Sequence, residues 1–306
     1  MAIKNATHIR LLGGFSLILL VFISPPSVDA KPFEFLQQLE GSCKGNTVKG
    51  VQQLKQYLKR FGYLDASHAN NDDEYDELVE SAIKTYQLNY HLNVTGSLDS
   101  ETLREMMKPR CGVPDIVDGM NTMSSGKKKK QHERRLSLRT TTHFAFFPGS
   151  PKWGADQTHL TYRFESQIEA VDIGTFRSVA AQAFKRWAQV SQFTFAEAED
   201  GSNSDIVVGF FRSTFDGPGG VLGRSYAPPR GVCTLDADEN WSTNPTNDMQ
   251  TDLESVTVHE LGHILGLGHS QVSEAIMFPT YKEGEIKRDL QDDDKQGIHE
   301  LYGLSR

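Results

Sequence analysis

Apolar positions recur at helical spacing in the first third of this chain and in strand-like runs further on. Val48, Val51, Leu54, Tyr57, Leu58 and Phe61 share one helical face that stops at Gly62, and Leu78, Val79, Ala82, Ile83 and Tyr86 form a second stripe. Asp99 is placed to cap a third helix carrying Leu103 and Met106, and the polar insert Asn70–Glu74 reads as a loop. Together these predict a small helical domain over residues 33–108. Residues 144–306 read as mixed α+β. His159–Phe164, Phe193–Ala196 and Asp205–Phe211 resemble strands, and between the first two Phe176, Val179, Ala180, Ala183, Phe184, Trp187 and Val190 line one amphipathic helix. Asp252–Leu265 and Leu290–Tyr302 predict two more helices. Residues 116–143 read as a linker, small and polar over Gly119–Gly126 and then basic at Lys127–Lys130, Arg134, Arg135 and Arg139. Such a run is either a solvated linker or a processing site, and the second is favoured because nicking concentrates in exposed linkers.

The N-terminus has a different logic. Lys4 and Arg10 precede the apolar run Leu11–Ile23, which is short for a membrane span, and Val28 and Ala30 put small residues at −3 and −1 of a cleavage site. Residues 1–30 are therefore expected to be a secretory signal peptide rather than an uncleaved anchor. Asn93 (with Thr95) and Asn240 (with Ser242) are glycosylation sequons suited to a secreted, extracellular chain. Asn5 falls inside the signal, and Pro245 spoils the sequon at Asn244. No hydrophobic tail for a lipid anchor follows, so no stable membrane anchor is expected.

Composition narrows the partners. The chain has 306 residues, 38% apolar and 24% charged, enough for one large or two smaller cores. Its net charge of −8 divides into +3 over residues 1–139 and −11 over 140–306, and an acidic second half argues against nucleic acid. Three cysteines are too few for a disulfide scaffold, and whether Cys43 and Cys233 pair is not readable from sequence.

The chemistry sits in His259–His269, which reads H-E-x-x-H-x-x-G-x-x-H. On a helix His259 and His263 share a face and can bind one zinc ion; Glu260 beside them can take a proton from a water held there. Gly266 allows the chain to turn back and bring His269 round as the third ligand, with a fourth position left open. A chance match is on the order of 10⁻⁵, so three unrelated histidines do not account for the spacing.

The motif resembles the metzincin metalloproteases, whose methionine turn would fall at Met277 in Ala275–Pro279. Upstream, Pro109–Asp115 reads P-R-C-G-V-P-D, similar to the cysteine switch of matrix metalloproteinases. In that family a propeptide thiol, here Cys111, blocks the zinc until cleavage; Arg110 and Asp115 are expected to pair across the loop and hold the sulfur. Gly50–Leu54, Phe61–Tyr63 and Thr95–Asp99 look like the family's peptidoglycan-binding-like propeptide. The segment Phe146–Trp153 and the missing propeller domain look most like plant members, which would place the protein in the apoplast or cell wall. The resemblance implies a signal peptide (1–30), a helical propeptide (31–115), a basic activation linker (116–139) and a catalytic domain (140–306). The implied fold is α+β: a twisted, mostly parallel five-stranded sheet with three helices, behind a small helical domain.

Further expectations follow from the resemblance. Calcium would be held by Asp216, Asp236 and Glu239 with carbonyls of Gly217, Gly219 and Val221, a set of oxygens suited to a hard cation; a plain acidic loop is the alternative. The family's second, structural zinc is expected to be absent, because Arg224 and Thr234 stand at its histidine positions and the preceding His-x-Asp segment is missing. Asp293 and Asp294 would anchor the methionine turn or receive a new amino terminus, and Tyr281 would line the pocket for the residue after the cut. The whole implies a secreted, zinc-dependent endopeptidase made as a latent zymogen, acting on extracellular proteins or peptides, needing an activating protease, and expected to be a monomer. A catalytically silent glycan-binding protein and a zinc-stabilised structural domain are the alternatives.

Overall fold

The computed structural model describes residues 31–65, 72–123, 143–199, 202–212, 216–282 and 284–304. The predicted signal peptide and the basic run Lys127–Arg139 lie outside these residues. The helical domain forms as its periodicity implies, with α1 Val51–Arg60, α2 Glu77–Asn89 and α3 Ser100–Met106 behind a short 3-10 turn at Glu34–Leu39. Asp76 and Asp99 cap α2 and α3, accepting from the backbone N–H groups of Val79 at 2.9 Å and Thr102 at 2.8 Å. Leu54, Leu58, Phe61, Val79, Ile83, Tyr86 and Met106 fill the core. Leu78, placed in the apolar stripe by its spacing, is 45% exposed; its neighbours 79, 82, 83 and 86 already complete the face that α2 buries.

The segment after α3 departs from the expected linker. Arg110–Cys111 (β1) is a strand, and Ile116–Val117 (β2) pairs with Met120–Asn121 (β3) as an antiparallel hairpin. Its turn is Asp118 and Gly119, both at positive φ (49° and 74°), the two-residue chemistry that a tight hairpin uses. The backbone N–H groups of Asp115 and Ile116 donate to Phe61 O, and Thr122 and Met123 are buried. Residues 116–123 thus pack onto the helical domain.

The second part contains β4 Phe144–Phe146, β5 His159–Phe164, α4 Ile173–Ala188, β6 Thr194–Glu197, β7 Ile206–Phe211, β8 Val221–Tyr226, β9 Val232–Asp236, β10 Trp241–Ser242, β11 Thr251–Asp252, α5 Leu253–Ile264, β12 Leu267–Ser270 and α6 Asp292–Tyr302. The main sheet has six strands in the order β1-β8-β9-β7-β5-β6. Strands β9, β7, β5 and β6 run parallel and β8 antiparallel to them, which gives the implied five-stranded sheet; β1 from the switch segment adds a sixth, parallel to β8. Three helices accompany it, also as implied. Helices α4 and α5 share one core, tied where Trp187 Nε1 donates to Val258 O at 2.8 Å. Strand β12 pairs with β4, holding the segment that follows α5 against the start of the second part.

Candidate metal centre

Helix α5 is buried along its whole length. Its start is fixed by Asp252, whose Oδ2 accepts from Ser255 N at 2.9 Å and Ser255 Oγ at 2.6 Å while Arg288 pairs with the same carboxylate. Past its end, Gly266 turns the chain at φ 99°; a Cβ there would lie 2.3 Å from Pro151 O, so only glycine fits. Strand β12 then returns His269 to the helix. The motif's three histidines and Cys111 are all buried, and one ligand atom from each lies within 4.8 Å of all the others.

The protons in this cluster can be assigned. His259 Nδ1 donates to Ile276 O at 2.7 Å and His263 Nδ1 to Leu267 O at 2.8 Å, because a carbonyl can only accept. Burial holds both rings well below the usual histidine pKa, so they are neutral. Their Nε2 atoms then carry lone pairs, yet face each other at 3.0 Å. Two lone pairs at that distance repel unless a cation lies between them. His269 Nε2 is buried without a hydrogen-bond partner among the described residues, and its Nδ1 is tied to Asp115 Oδ1 at 2.8 Å. Cys111 Sγ lies 3.4 Å from His263 Nε2. Three imidazole nitrogens with their other nitrogens anchored, plus one sulfur, are a donor set that fits tetrahedral zinc.

The switch segment is held on both edges. Arg110 N and Gly112 N donate to Gly220 O and Gly223 O on the β8 side, while Cys111 N donates to Pro279 O and Tyr281 N to Pro109 O on the other. Beneath it Arg110 and Asp115 pair at 2.9 Å with no exposure of either side chain, as their spacing suggested. The Arg110 guanidinium also lies 3.6 Å above the Phe61 ring, and Asp115 accepts from Tyr63 and Tyr90. Burial opposes ionisation of Asp115, but the charge of Arg110 and the hydrogen bonds from His269 and Tyr63 prevail and bring its pKa to about 2. The Cys111 thiol is pushed up by burial, with the charge of Glu260 adding.

Glu260 is fully buried, and neither carboxylate oxygen has a hydrogen-bond partner among the described residues. Burial raises its pKa to about 7, opposed in part by Ser225, Cys111 and the charge of Arg224. Met277 packs against Gly262 of α5, and Asp294 accepts from the N–H groups of Ile276 and Met277, both at 3.0 Å. Asp293 accepts from His143 N at 3.0 Å and Ser270 Oγ at 2.7 Å. The Tyr281 ring lies 5.9 Å from that of His259.

Away from this centre, Asp216 before β8, Asp236 at the end of β9 and Glu239 just after it act on one another's charge, but they are not drawn into a cluster as tight as the histidines. Gly219 N donates to Glu239 Oε1 and Val221 N to Asp216 Oδ1, and Arg60 of the helical domain pairs with Asp216. Asp236 Oδ2 is buried without a hydrogen-bond partner among the described residues. Burial and neighbouring carboxylates raise Asp236 to about 6 and Glu239 to about 7. Asn93 is exposed; Asn240 is exposed too, but its side-chain amide donates to Met249 O at 2.9 Å. Cys43 and Cys233 are unpaired thiols. Sequence reasoning missed the bond from His269 to Asp115 and the double edge pairing of the switch, contacts between segments far apart in the chain that no local spacing encodes.

Comparison with known proteins agrees with this geometry. The matrixin family model matches residues 152–303, and a putative peptidoglycan-binding domain model matches residues 47–106. The chain is 43% identical over 286 residues to metalloendoproteinase 5-MMP of Arabidopsis thaliana, covering 89% of this chain and 76% of that protein. It is 38% identical to metalloendoproteinase 1 of Glycine max across 100% of both chains. It is 34% identical to interstitial collagenase of Sus scrofa, over 83% of this chain and 50% of that one. With its helical N-terminal domain as a propeptide and three histidines suited to zinc, the chain belongs to the matrixins, a family of zinc metalloendopeptidases.

Proposed function

We propose that the protein is a secreted endopeptidase made as a latent zymogen, in which His259, His263 and His269 hold the zinc and Cys111 is its removable fourth ligand. The observation that carries this reading is the pair of neutral imidazoles whose lone pairs meet at 3.0 Å beside a buried thiol. When bound, zinc supplies Lewis acidity, polarising the scissile carbonyl and making water more acidic. Glu260 takes the proton from the attacking water and delivers it to the leaving amine. A substrate peptide lies extended in the slot that residues 109–112 fill, using the same β8 and 279–281 backbone groups. Tyr281 lines the pocket for the residue after the cut, for which a bulky apolar side chain is preferred.

Activation is cleavage in the basic linker 116–139 by another protease, which releases the helical domain and Cys111 with it. Met277 and Asp294 support the histidines from below, and Asp293 holds the start of the mature chain near His143. Calcium binds at Asp216, Asp236 and Glu239 with carbonyls of Gly217, Gly219 and Val221. The raised carboxyl pKa values and the orphaned Asp236 Oδ2 support a cation there. Asn93 and Asn240 are the glycosylation sites, Asn93 the more available.

The test is hydrolysis of a quenched fluorescent peptide with a bulky apolar residue after the scissile bond. Activated wild type should turn it over, and Glu260→Ala should lose about 10²–10⁴-fold in kcat. Equal turnover by the two would remove Glu260 from the mechanism, and silence from both, with zinc bound and folding intact, would overturn the enzyme reading for this chain.

A further inference from the structure

Strand β8 carries a feature unrelated to metal binding. Its side chains alternate, so Arg224 and Tyr226 leave on the face opposite Gly223 and Ser225. The Arg230 guanidinium lies 3.6 Å from the centre of the Tyr226 ring, and that of Arg224 lies 5.6 Å from the same centre. Arg224 and Arg230 are exposed, and among the described residues neither forms an ion pair. Both sit in the part of the chain with net charge −11, where a carboxylate partner would be easy to supply. Two guanidinium groups without an ion-pair partner among the described residues, sharing one aromatic ring, form a preorganised, doubly positive site.

Its position gives it a use. Gly112, the residue after Cys111, donates its N–H to Gly223 O, and a Cβ built on it would lie 3.4 Å from Arg224 Cβ and 2.6 Å from Val221 Cγ1. The propeptide therefore carries no side chain where it passes Arg224. A substrate strand on the same edge that carries a side chain there has to move clear of Val221 Cγ1, and Arg224 is the charged side chain beside it. We propose that Arg224, backed by Arg230 on Tyr226, is a substrate subsite for an acidic side chain, Asp or Glu, near the scissile bond. This rests on the proposed function, in that substrate replaces the switch segment along β8. Arginine matches a carboxylate with two parallel N–H donors, and the bound peptide shields the pair from solvent. The chain's own switch, with glycine there, leaves the subsite unused.

The test moves a single glutamate through the four positions on each side of the scissile bond of a neutral peptide and measures kcat/KM with the enzyme activated from the full chain by linker cleavage. At one position glutamate should exceed alanine by about five-fold or more, less so at high salt. Arg224→Ala should abolish that preference and Arg230→Ala reduce it, the preference being read in each variant as the ratio of glutamate to neutral peptide, because the charge of Arg224 also acts on Glu260. Cleavage of the neutral peptide with no glutamate preference, or a preference that survives Arg224→Ala, overturns the subsite. Failure to cleave even the neutral peptide overturns the enzyme reading beneath it, so the two failures are distinguishable.

Discussion

Asp115 connects the two halves of the molecule through single atoms. One of its oxygens meets Arg110 Nη2 at 2.9 Å and His269 Nδ1 at 2.8 Å, so the residue that pins the switch also orients an imidazole of the candidate metal centre. Replacing it by asparagine leaves Arg110 buried with its charge unpaired, a loss of about 3–5 kcal/mol. Asp115→Asn should therefore weaken propeptide docking, and the check is faster alkylation of Cys111 in the uncleaved protein. Acid acts on the same bond. The folded pKa of about 2 lies below the ordinary 3.8, so the pairing contributes fully above pH 3.8 and is lost as pH falls toward 2. That window holds about 2 kcal/mol. Wild-type thermal stability should drop across it, and the drop should be shallower in Asp115→Asn, which starts less stable.

Helix α5 explains why the centre was legible and the rest less so. His259 and His263 share a face because a helix repeats every ~3.6 residues, and Gly266 marks its own turn, so the three histidines that the fold brings together could be read from spacing alone. The long helix α4 was equally plain, since its apolar stripe is continuous. Strands β8 and β9 were not: β8 carries Gly223, Arg224 and Ser225, small or charged residues whose alternation makes sense only beside α5 and the switch. The β2–β3 hairpin hid inside a polar stretch, although Asp118 and Gly119 are a turn signature. Packing on α5 leaves little room. A Cβ on Gly262 would lie 2.3 Å from Met277 Sδ and 2.9 Å from Trp187 Cζ2. Gly262→Ala should cost about 1–3 kcal/mol through overpacking of the floor below the histidines. A melting temperature lowered by several degrees, with weaker zinc retention against a chelator, is the expected result.

For the molecule as a whole, the main sheet is shared. Its five-stranded core is completed by β1 from the helical domain, and Arg60 reaches from that domain to Asp216 in the acidic loop. Removing the propeptide frees the edge of β8 and deprives Asp216 of its cation. The activated enzyme should therefore depend on calcium more than the zymogen does. A calcium-selective chelator should lower the melting temperature of the activated form by the larger amount, and Asp236→Asn should make it insensitive.

Zinc-edge X-ray absorption, recorded on the intact chain and again after linker cleavage, tests the shared-centre account most directly. The account predicts one sulfur and three nitrogen neighbours before cleavage, and loss of the sulfur as peptidase activity appears. A first shell without sulfur in the intact, inactive chain would contradict it.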